Sequence, residues 1–167
     1  PNSDARAIAN KKTNNAVHHI AQLDYYSAQC FDVITLWHVL EHVPDLNSYI
    51  SRLHKLLKDN GRLIVAVPNY KSYDAFYYKS FWAGFDVPRH LWHFDQNSMS
   101  NLFNKNNMHL EAIAPMRFDA FYVSLLSEKY KTGKMNYLRA LYVGLLSNLK
   151  ANRTKEFSSL IYTIKKA

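Results

Sequence analysis

The order of apolar and polar positions predicts alternating strands and helices. A nearly continuous apolar run, residues 31–36, is typical of a strand buried on both faces. After a short polar stretch, residues 46–57 carry apolar side chains at helical spacing, with Asp45 placed to cap the helix and Gly61 just past its end. A second apolar run, residues 62–67, completes a strand–helix–strand unit.

The same patterns predict further elements on both sides of this unit. Helices are expected at residues 3–12, from Asp95 through about 104, and at 119–129 and 135–150. Strands are expected at residues 16–20, 109–114 and 159–164. A chain of 167 residues is large enough to bury one core, so we expect a single α/β domain over residues 1–167, with an inserted helical segment at about 119–150.

Composition narrows the possible partners. The net charge is +8, but there is no arginine-rich run or known nucleic-acid module, so we expect no nucleic-acid partner. No apolar run approaches the ~20 residues that span a bilayer. Weak contact with a membrane surface stays open, because the helical segment carries Lys129, Lys131, Lys134 and Arg139 beside its apolar stripes.

Cysteine usage bears on the compartment. The single cysteine, Cys30, cannot form a disulfide within the chain. That fits a reducing environment, and the polar start of the sequence does not resemble a signal peptide, so we expect a cytoplasmic protein.

Candidate chemistry begins where the first strand of the unit ends. Ligands of open α/β sheets bind outside the carboxyl ends of the strands, and there the sequence places His38, Glu41 and His42. On a helical turn these three would share a face. Imidazole and carboxylate groups can bind a divalent metal, act as a general base, hydrogen-bond a substrate, or form a buried structural pair.

A second candidate segment, residues 88–94, is dense in histidine and aromatic side chains. Arg89 could hold an acidic group of a substrate, and His90 could orient or deprotonate a nucleophile. Trp92, with Trp82 shortly before the segment, could contribute to the same substrate site. The alternative is that the whole segment is a packed aromatic loop leading into a capped helix.

Several of these stretches resemble one protein family. Phe31-Asp-Val-Ile34, His38-Val-Leu-Glu-His-Val-Pro44, Leu57-Lys-Asp-Asn-Gly61 and Val65-Ala-Val-Pro-Asn69 look like the second half of a class I S-adenosylmethionine-dependent methyltransferase. The branch most similar to this chain contains the ubiquinone-biosynthesis O-methyltransferases, and the resemblance extends to about residue 107. It implies a partial Rossmann-like, seven-stranded methyltransferase sheet that lacks its first two strands and carries a helical insertion before the last strand.

The resemblance also implies an activity and a cofactor. The activity is methyl transfer from S-adenosylmethionine to an oxygen, nitrogen or carbon of a small-molecule acceptor. By resemblance the cofactor would be held by Gln22, Leu23 and Asp24 at the adenine, and by Leu36, Trp37 and His38 at the sugar and methionine portion. Trp37 could equally be a core aromatic residue.

The remaining candidate roles concern the acceptor. Candidates for the catalytic base are His38, His42 and His90, and candidates for substrate binding are Glu41, Trp82, Arg89, His90 and Trp92. Some ubiquinone-branch enzymes bind a metal with Glu, Glu and His at the positions of His38, Glu41 and His42. Because His38 replaces the first carboxylate, we expect no metal here.

One expected part of such a methyltransferase is missing from the sequence. The four glycines are far apart, so the 167 residues contain no Gly-x-Gly loop. Because residues 1–4 resemble the stretch just after the ribose-binding acid, we expect an N-terminally truncated domain. The strand at residues 31–36 would then expose an edge and favour a homo-oligomer. Two alternatives remain: a non-catalytic fragment or pseudoenzyme that acts by self-association, and a nucleotide-binding oxidoreductase, against which the absent glycine fingerprint speaks.

Overall fold

The computed structural model describes residues 2–167, which form six α-helices and four β-strands joined by turns and short 3₁₀ segments. The helices are α1 (Ser3–Lys12), α2 (Leu46–Leu56), α3 (Tyr73–Tyr78), α4 (Gln96–Asn104), α5 (Asp119–Thr132) and α6 (Tyr137–Thr154). The strands are β1 (Phe31–Trp37), β2 (Leu57–Pro68), β3 (Met108–Pro115) and β4 (Ser159–Lys166).

The four strands form one mixed sheet in the order β1-β2-β4-β3. β1 and β2 are parallel, joined by a crossover through α2, and β4 runs antiparallel to both β2 and β3. Helices α5 and α6 lie between β3 and β4 in the chain, which is the position expected for the helical insertion. The predicted α/β class with a partial Rossmann-like sheet is therefore confirmed.

Two apolar clusters hold the elements together. The larger joins the sheet to α2 and α4, whose inward residues Ile50, Leu53, Met99 and Phe103 are almost fully buried. The smaller joins α3, the following 3₁₀ turns and the helices α5 and α6, around Tyr78 and Trp82. Within residues 2–167 no helix is long and apolar enough to cross a bilayer.

The strand predicted at residues 16–20 is wrong. Residues 16–19 are irregular, and a 3₁₀ turn covers Ile20–Tyr25. The side chain of Asn10 takes up both backbone groups of Val17, accepting from its N–H at 2.8 Å and donating to its carbonyl at 3.0 Å. In the described part of the chain, β1 pairs only with β2, so this segment has no strand beside it to extend a sheet.

Gly61 also differs from its expected role. The helix ends at Leu56 and the chain turns directly into β2, so Gly61 lies inside the strand and not at the helix terminus. A Cβ at this position would lie 2.9 Å from the carbonyl oxygen of Asp32 and 2.8 Å from the side chain of Leu57. The glycine therefore permits a close approach between β1 and β2.

Candidate active site

Polar segments from three strands meet at one edge of the sheet. β1, β2 and β3 run in the same direction, so their carboxyl ends, at Trp37, Pro68 and Pro115, lie together. His38 directly follows β1, and Asp119 follows β3. The aromatic loop, residues 88–94, comes after β2 and α3. This is the edge at which open α/β sheets bind their ligands.

His38 lies between two carboxyl groups. Its Nε2 is 3.4 Å from Oδ2 of Asp119 and its Nδ1 is 3.3 Å from Oε1 of Glu41. These two contacts, the one with Asp119 first, raise the pKa of His38 to about 9 against the opposing effect of burial. The backbone φ of His38 is +51°, a strained value for a residue with a Cβ and one that is enriched at functional sites.

Asp119 is the partner that the sequence did not reveal. It is the first residue of α5 and only its helix position was predicted. Burial raises its pKa, but the contacts with His38 and Ser159 together outweigh this and the net pKa is lowered. The contact attaches the start of the helical insertion to the end of β1.

Glu41 is almost fully buried, with 1% of its surface exposed. Within residues 2–167 neither of its carboxyl oxygens has a hydrogen-bond partner, since His38 lies at an ion-pair distance without hydrogen-bonding geometry. Such an orphaned buried carboxyl group is costly and needs an explanation.

The aromatic loop is fastened to Glu41 through the backbone. The carbonyl oxygen of Glu41 accepts hydrogen bonds from the N–H groups of Leu91, at 2.8 Å, and Trp92, at 3.3 Å. The indole of Trp92 donates to the carbonyl of Val43 at 2.8 Å. These bonds bring His90 against the short turn that follows β1.

His42 and His90 face each other at this contact. Their ring centroids are 4.7 Å apart, edge to face. In each ring Nδ1 contacts a backbone carbonyl, that of Arg89 for His42 at 2.9 Å and that of Gly84 for His90 at 2.8 Å. A carbonyl can only accept, so both Nδ1 atoms carry the proton and a neutral ring keeps the lone pair on Nε2.

Two other predicted substrate residues lie nearby in different environments. Arg89 is exposed and pairs with Asp86 at 2.7 Å, so its guanidinium could reach a ligand only by leaving that partner. Trp82 is 2% exposed and donates its indole N–H to Asp74 at 2.7 Å. The burial of Trp82 fits the alternative of a packed aromatic loop, and its contact with a substrate stays a prediction.

The predicted cofactor residues lie in the 3₁₀ turn before β1 and at the carboxyl end of β1. Asp24, in the 3₁₀ turn, keeps 57% of its side chain exposed and pairs with Arg52 of α2 at 3.1 Å. Leu36 is buried in the core, so only its backbone can face a cofactor. Trp37 is 50% exposed, which excludes the core alternative and leaves its ring free at the strand end.

These residues fit S-adenosylmethionine in part. An exposed carboxyl group at Asp24 can accept a hydrogen bond from the adenine amino group, and an exposed indole can pack beside a ring or a sugar. The groups that would hold the ribose hydroxyls and the methionine chain are not among the predicted residues, because the sequence has no Gly-x-Gly turn. Binding of this cofactor by Asp24 and Trp37 therefore stays a prediction.

Comparison with known families agrees with the architecture. The sequence model of a family described as a methyltransferase domain matches residues 1–113. This is more than half of the 167-residue chain, and the chain belongs to that family. The comparison with curated proteins finds no match.

Solved structures share the fold at low sequence identity. A possible histamine N-methyltransferase from Thermotoga maritima has a TM-score of 0.56 at 14% identity, covering 84% of this chain and 58% of that one. The 1,6-didemethyltoxoflavin-N1-methyltransferase of Burkholderia thailandensis, solved with S-adenosylhomocysteine, has a TM-score of 0.51 at 15% identity, covering 96% and 56%. The [4+2]-cyclase SpnF has a TM-score of 0.57 at 11% identity, covering 96% and 60%.

The coverage and the variety of these structures limit what the fold implies. The chain spans less than two thirds of the length of each of the three. One of them is named for a cyclisation and not for methyl transfer. At these identities the likeness establishes the fold alone, and the activity has to be argued from the site.

Proposed function

We propose that the complete protein is an S-adenosylmethionine-dependent methyltransferase acting on a small-molecule acceptor. The observation that carries this is a buried carboxyl group and two imidazoles, Glu41, His42 and His90, assembled at the ligand-binding edge of a methyltransferase-domain chain. The finer prediction of a ubiquinone-branch O-methyltransferase rests on the sequence motifs.

The proposed cofactor is S-adenosylmethionine, which carries a methyl group on a sulfonium. When the methyl group is transferred, the electron pair of the S–C bond stays on sulfur. Asp24 would accept a hydrogen bond from the adenine amino group, and Trp37 would cover the sugar at the end of β1. Arg52 holds Asp24 in place from α2. The reaction then depends on positioning the acceptor in line with the methyl group.

The acceptor side is assigned to the histidine cluster. The acceptor atom forms the new bond to carbon, and its proton must leave to a base or to solvent. A pKa near 9 keeps His38 protonated around neutral pH, which argues against its predicted role as the base. His42 and His90, each with Nδ1 committed to a carbonyl, keep a free lone pair on Nε2 in the neutral ring and are the better candidates.

As an imidazolium, His38 can serve the site in another way. Its positive charge lies at the carboxyl end of β1 between Asp119 and Glu41, where a cofactor or acceptor would approach. There it compensates the charge of the two carboxyl groups and holds the first residue of α5 close. We assign it a positioning and electrostatic role.

A non-catalytic role by self-association is the second candidate. It is favoured by the edge of β1, which within residues 2–167 pairs on one side only, and by a row of α6 side chains that are half-exposed or more: Leu138, Leu141, Tyr142, Leu145 and Leu149. Edges and apolar patches of this kind mark association sites.

The proposed function is tested by methyl transfer. The complete protein is incubated with radiolabelled S-adenosylmethionine and a panel of small hydroxyl and amine acceptors, and labelled product is measured. We expect a labelled product and a loss of at least about 100-fold in kcat for His90→Gln, the lower range for removing a general base. His93→Gln, in the same loop but outside the cluster, is the matched control. If no acceptor class yields labelled product, the second candidate is preferred.

A further inference from the structure

We infer that a cavity at the opposite edge of the sheet from β1 binds a small phosphate monoester with an apolar body. The cavity has a volume of about 360 Å³ and lies between the end of β3, the start of β4 and the last turn of α6. This volume is within the range of ligand-binding pockets. Because β2 and β4 separate β3 from β1, the cavity is distinct from the histidine cluster, and the inference does not depend on the proposed function.

Two cationic side chains line this cavity. Arg117 lies just after β3, and Lys155 lies just after α6. Within residues 2–167 neither forms an ion pair, in contrast to Lys58, Arg62 and Arg89, and the cavity lining includes no carboxyl group. A phosphate monoester carries close to two negative charges near neutral pH, so it would balance both cations.

The acidic residues closest in sequence are engaged elsewhere. Glu156 directly follows the second cation, but its Oε2 accepts a hydrogen bond from Asn69 at 2.8 Å. Asp95, just before α4, accepts a hydrogen bond from the backbone N–H of Ser98 at 2.7 Å. Neither carboxyl group lines the cavity, so the positive charge there is available to a ligand.

Both cations are held in position while most of their donors stay free. Arg117 donates to Oδ1 of Asn152 at 3.1 Å, and its guanidinium packs 5.0 Å from the ring centroid of Phe157. Nζ of Lys155 donates to the backbone carbonyl of Asn152 at 3.0 Å. A guanidinium has five N–H donors and an ammonium three, so several remain for phosphate oxygens. Side chains that are already ordered lose less freedom when a ligand binds.

The backbone of Lys155 supports a role in ligand binding. Its φ is +64°, the left-handed conformation that glycine usually provides after a helix. A residue with a Cβ is strained there, and such strain is enriched at ligand sites. The carbonyl of Lys155 accepts a hydrogen bond from Nε2 of Gln96 at 3.3 Å, which helps to hold this conformation.

The rest of the lining is largely apolar. Ile113 and Pro115 of β3 contribute exposed surface, and the almost fully buried Phe157 and Leu160 contribute surface from the core. Inorganic phosphate would contact only the cations, whereas an apolar group attached to it would cover these side chains and remove their surface from water. The lining therefore indicates a phosphate ester and not free phosphate.

Isothermal calorimetry of the complete protein with phenyl phosphate tests the inference. We expect one site per chain with a Kd of about 1 mM or lower, and weaker binding of inorganic phosphate, phenol and phenylacetate. Arg117→Gln and Lys155→Gly should each weaken binding by at least about tenfold, the effect of losing one charge-assisted hydrogen bond. Arg153→Gln removes the same charge from an exposed position in the last turn of α6 that does not line the cavity, so it should leave the affinity within about twofold.

The variant Lys155→Gly separates binding from folding. Glycine relieves the left-handed strain, so Tm should not fall although binding is weakened. Absence of a stoichiometric site, an affinity unchanged in both Arg117→Gln and Lys155→Gly, or an equal loss in Arg153→Gln would each overturn the inference. Binding of inorganic phosphate or phenylacetate as tight as that of phenyl phosphate would overturn the assignment of a phosphate ester. Success or failure of methyl transfer changes none of these outcomes.

Discussion

Replacement of Asp74 by alanine should destabilise the protein strongly, because this buried carboxyl group joins three parts of the chain. Asp74 lies in α3 with no exposed surface. It accepts hydrogen bonds from Trp82 Nε1, Ser147 Oγ and Ser158 Oγ, each at 2.7 Å. These donors belong to the loop after α3, to α6 and to the residue just before β4, so Asp74 connects the helical insertion to the sheet.

The magnitude follows from the three donors that alanine would leave behind. A buried donor without a partner costs about 1–3 kcal/mol. The two serine hydroxyls can rotate toward other acceptors, whereas the indole N–H of Trp82 is fixed by packing. We therefore expect a loss of about 3–5 kcal/mol in the free energy of unfolding, which for a domain of this size lowers Tm by roughly 10 °C.

Urea denaturation followed by tryptophan fluorescence measures the change. Asp32→Ala is the control: its side chain is 79% exposed and pairs with Lys58 on the surface, so its removal should cost no more than about 1 kcal/mol. In a Ser147→Ala background, Asp74→Ala should cost less than in the wild type, because one donor is already gone. An Asp74→Ala variant within 0.5 kcal/mol of the wild type would refute the role of Asp74 as a junction.

Three further predictions concern other sites. Asp95 caps α4 through Ser98, so Asp95→Ala should cost about 1 kcal/mol in a urea titration. Burial raises the pKa of Asp95, but the hydrogen bonds from Ser98 and Tyr70 and the charge of Lys71 together outweigh it, so the net pKa is lowered. The stabilisation is therefore present above the usual value near 3.9 and should be lost as the pH falls through the lowered pKa of the folded state. An equal difference between wild type and variant at pH 7 and pH 2.5 would contradict this sign. In the complete enzyme, Asp24→Ala should weaken cofactor binding by roughly 1.5–3 kcal/mol in calorimetry, the value of one charge-assisted hydrogen bond, and unchanged affinity would remove the adenine assignment. The 167-residue chain should form a dimer or larger assembly through the open edge of β1, measured by light scattering, and a stable monomer would show that this edge is protected.

The sequence predicted most elements because their patterns are local. The apolar run of β1, the helical spacing of α2 and the capping residue of α4 act within a few positions, and the structure confirms all three elements. The strand predicted at residues 16–20 is wrong because a strand also needs a neighbour, which no local pattern reports. Here the backbone of Val17 is bonded instead by the side chain of Asn10, which lies in α1.

The site was predictable in its composition but not in its contacts. The sequence predicts His38, Glu41 and His42 from their place after a strand, and His90 from the segment rich in histidine and aromatic residues. Their pairing depends on which loops lie side by side: the aromatic loop brings His90 to Glu41, and the end of β3 brings Asp119 to His38. Only the sheet order reveals those contacts, and it changes the expected role of His38 from a base to a charged positioning group.

Calorimetric titration with S-adenosylmethionine tests the central claim most directly. The complete protein should bind one equivalent with micromolar or tighter affinity. The 167-residue chain alone should bind far more weakly, because the proposed contacts of Asp24 and Trp37 are few and its sequence has no glycine-rich turn. Failure of the complete protein to bind S-adenosylmethionine would contradict the assignment, and micromolar binding by the 167 residues alone would contradict the expectation that a glycine-rich turn is needed.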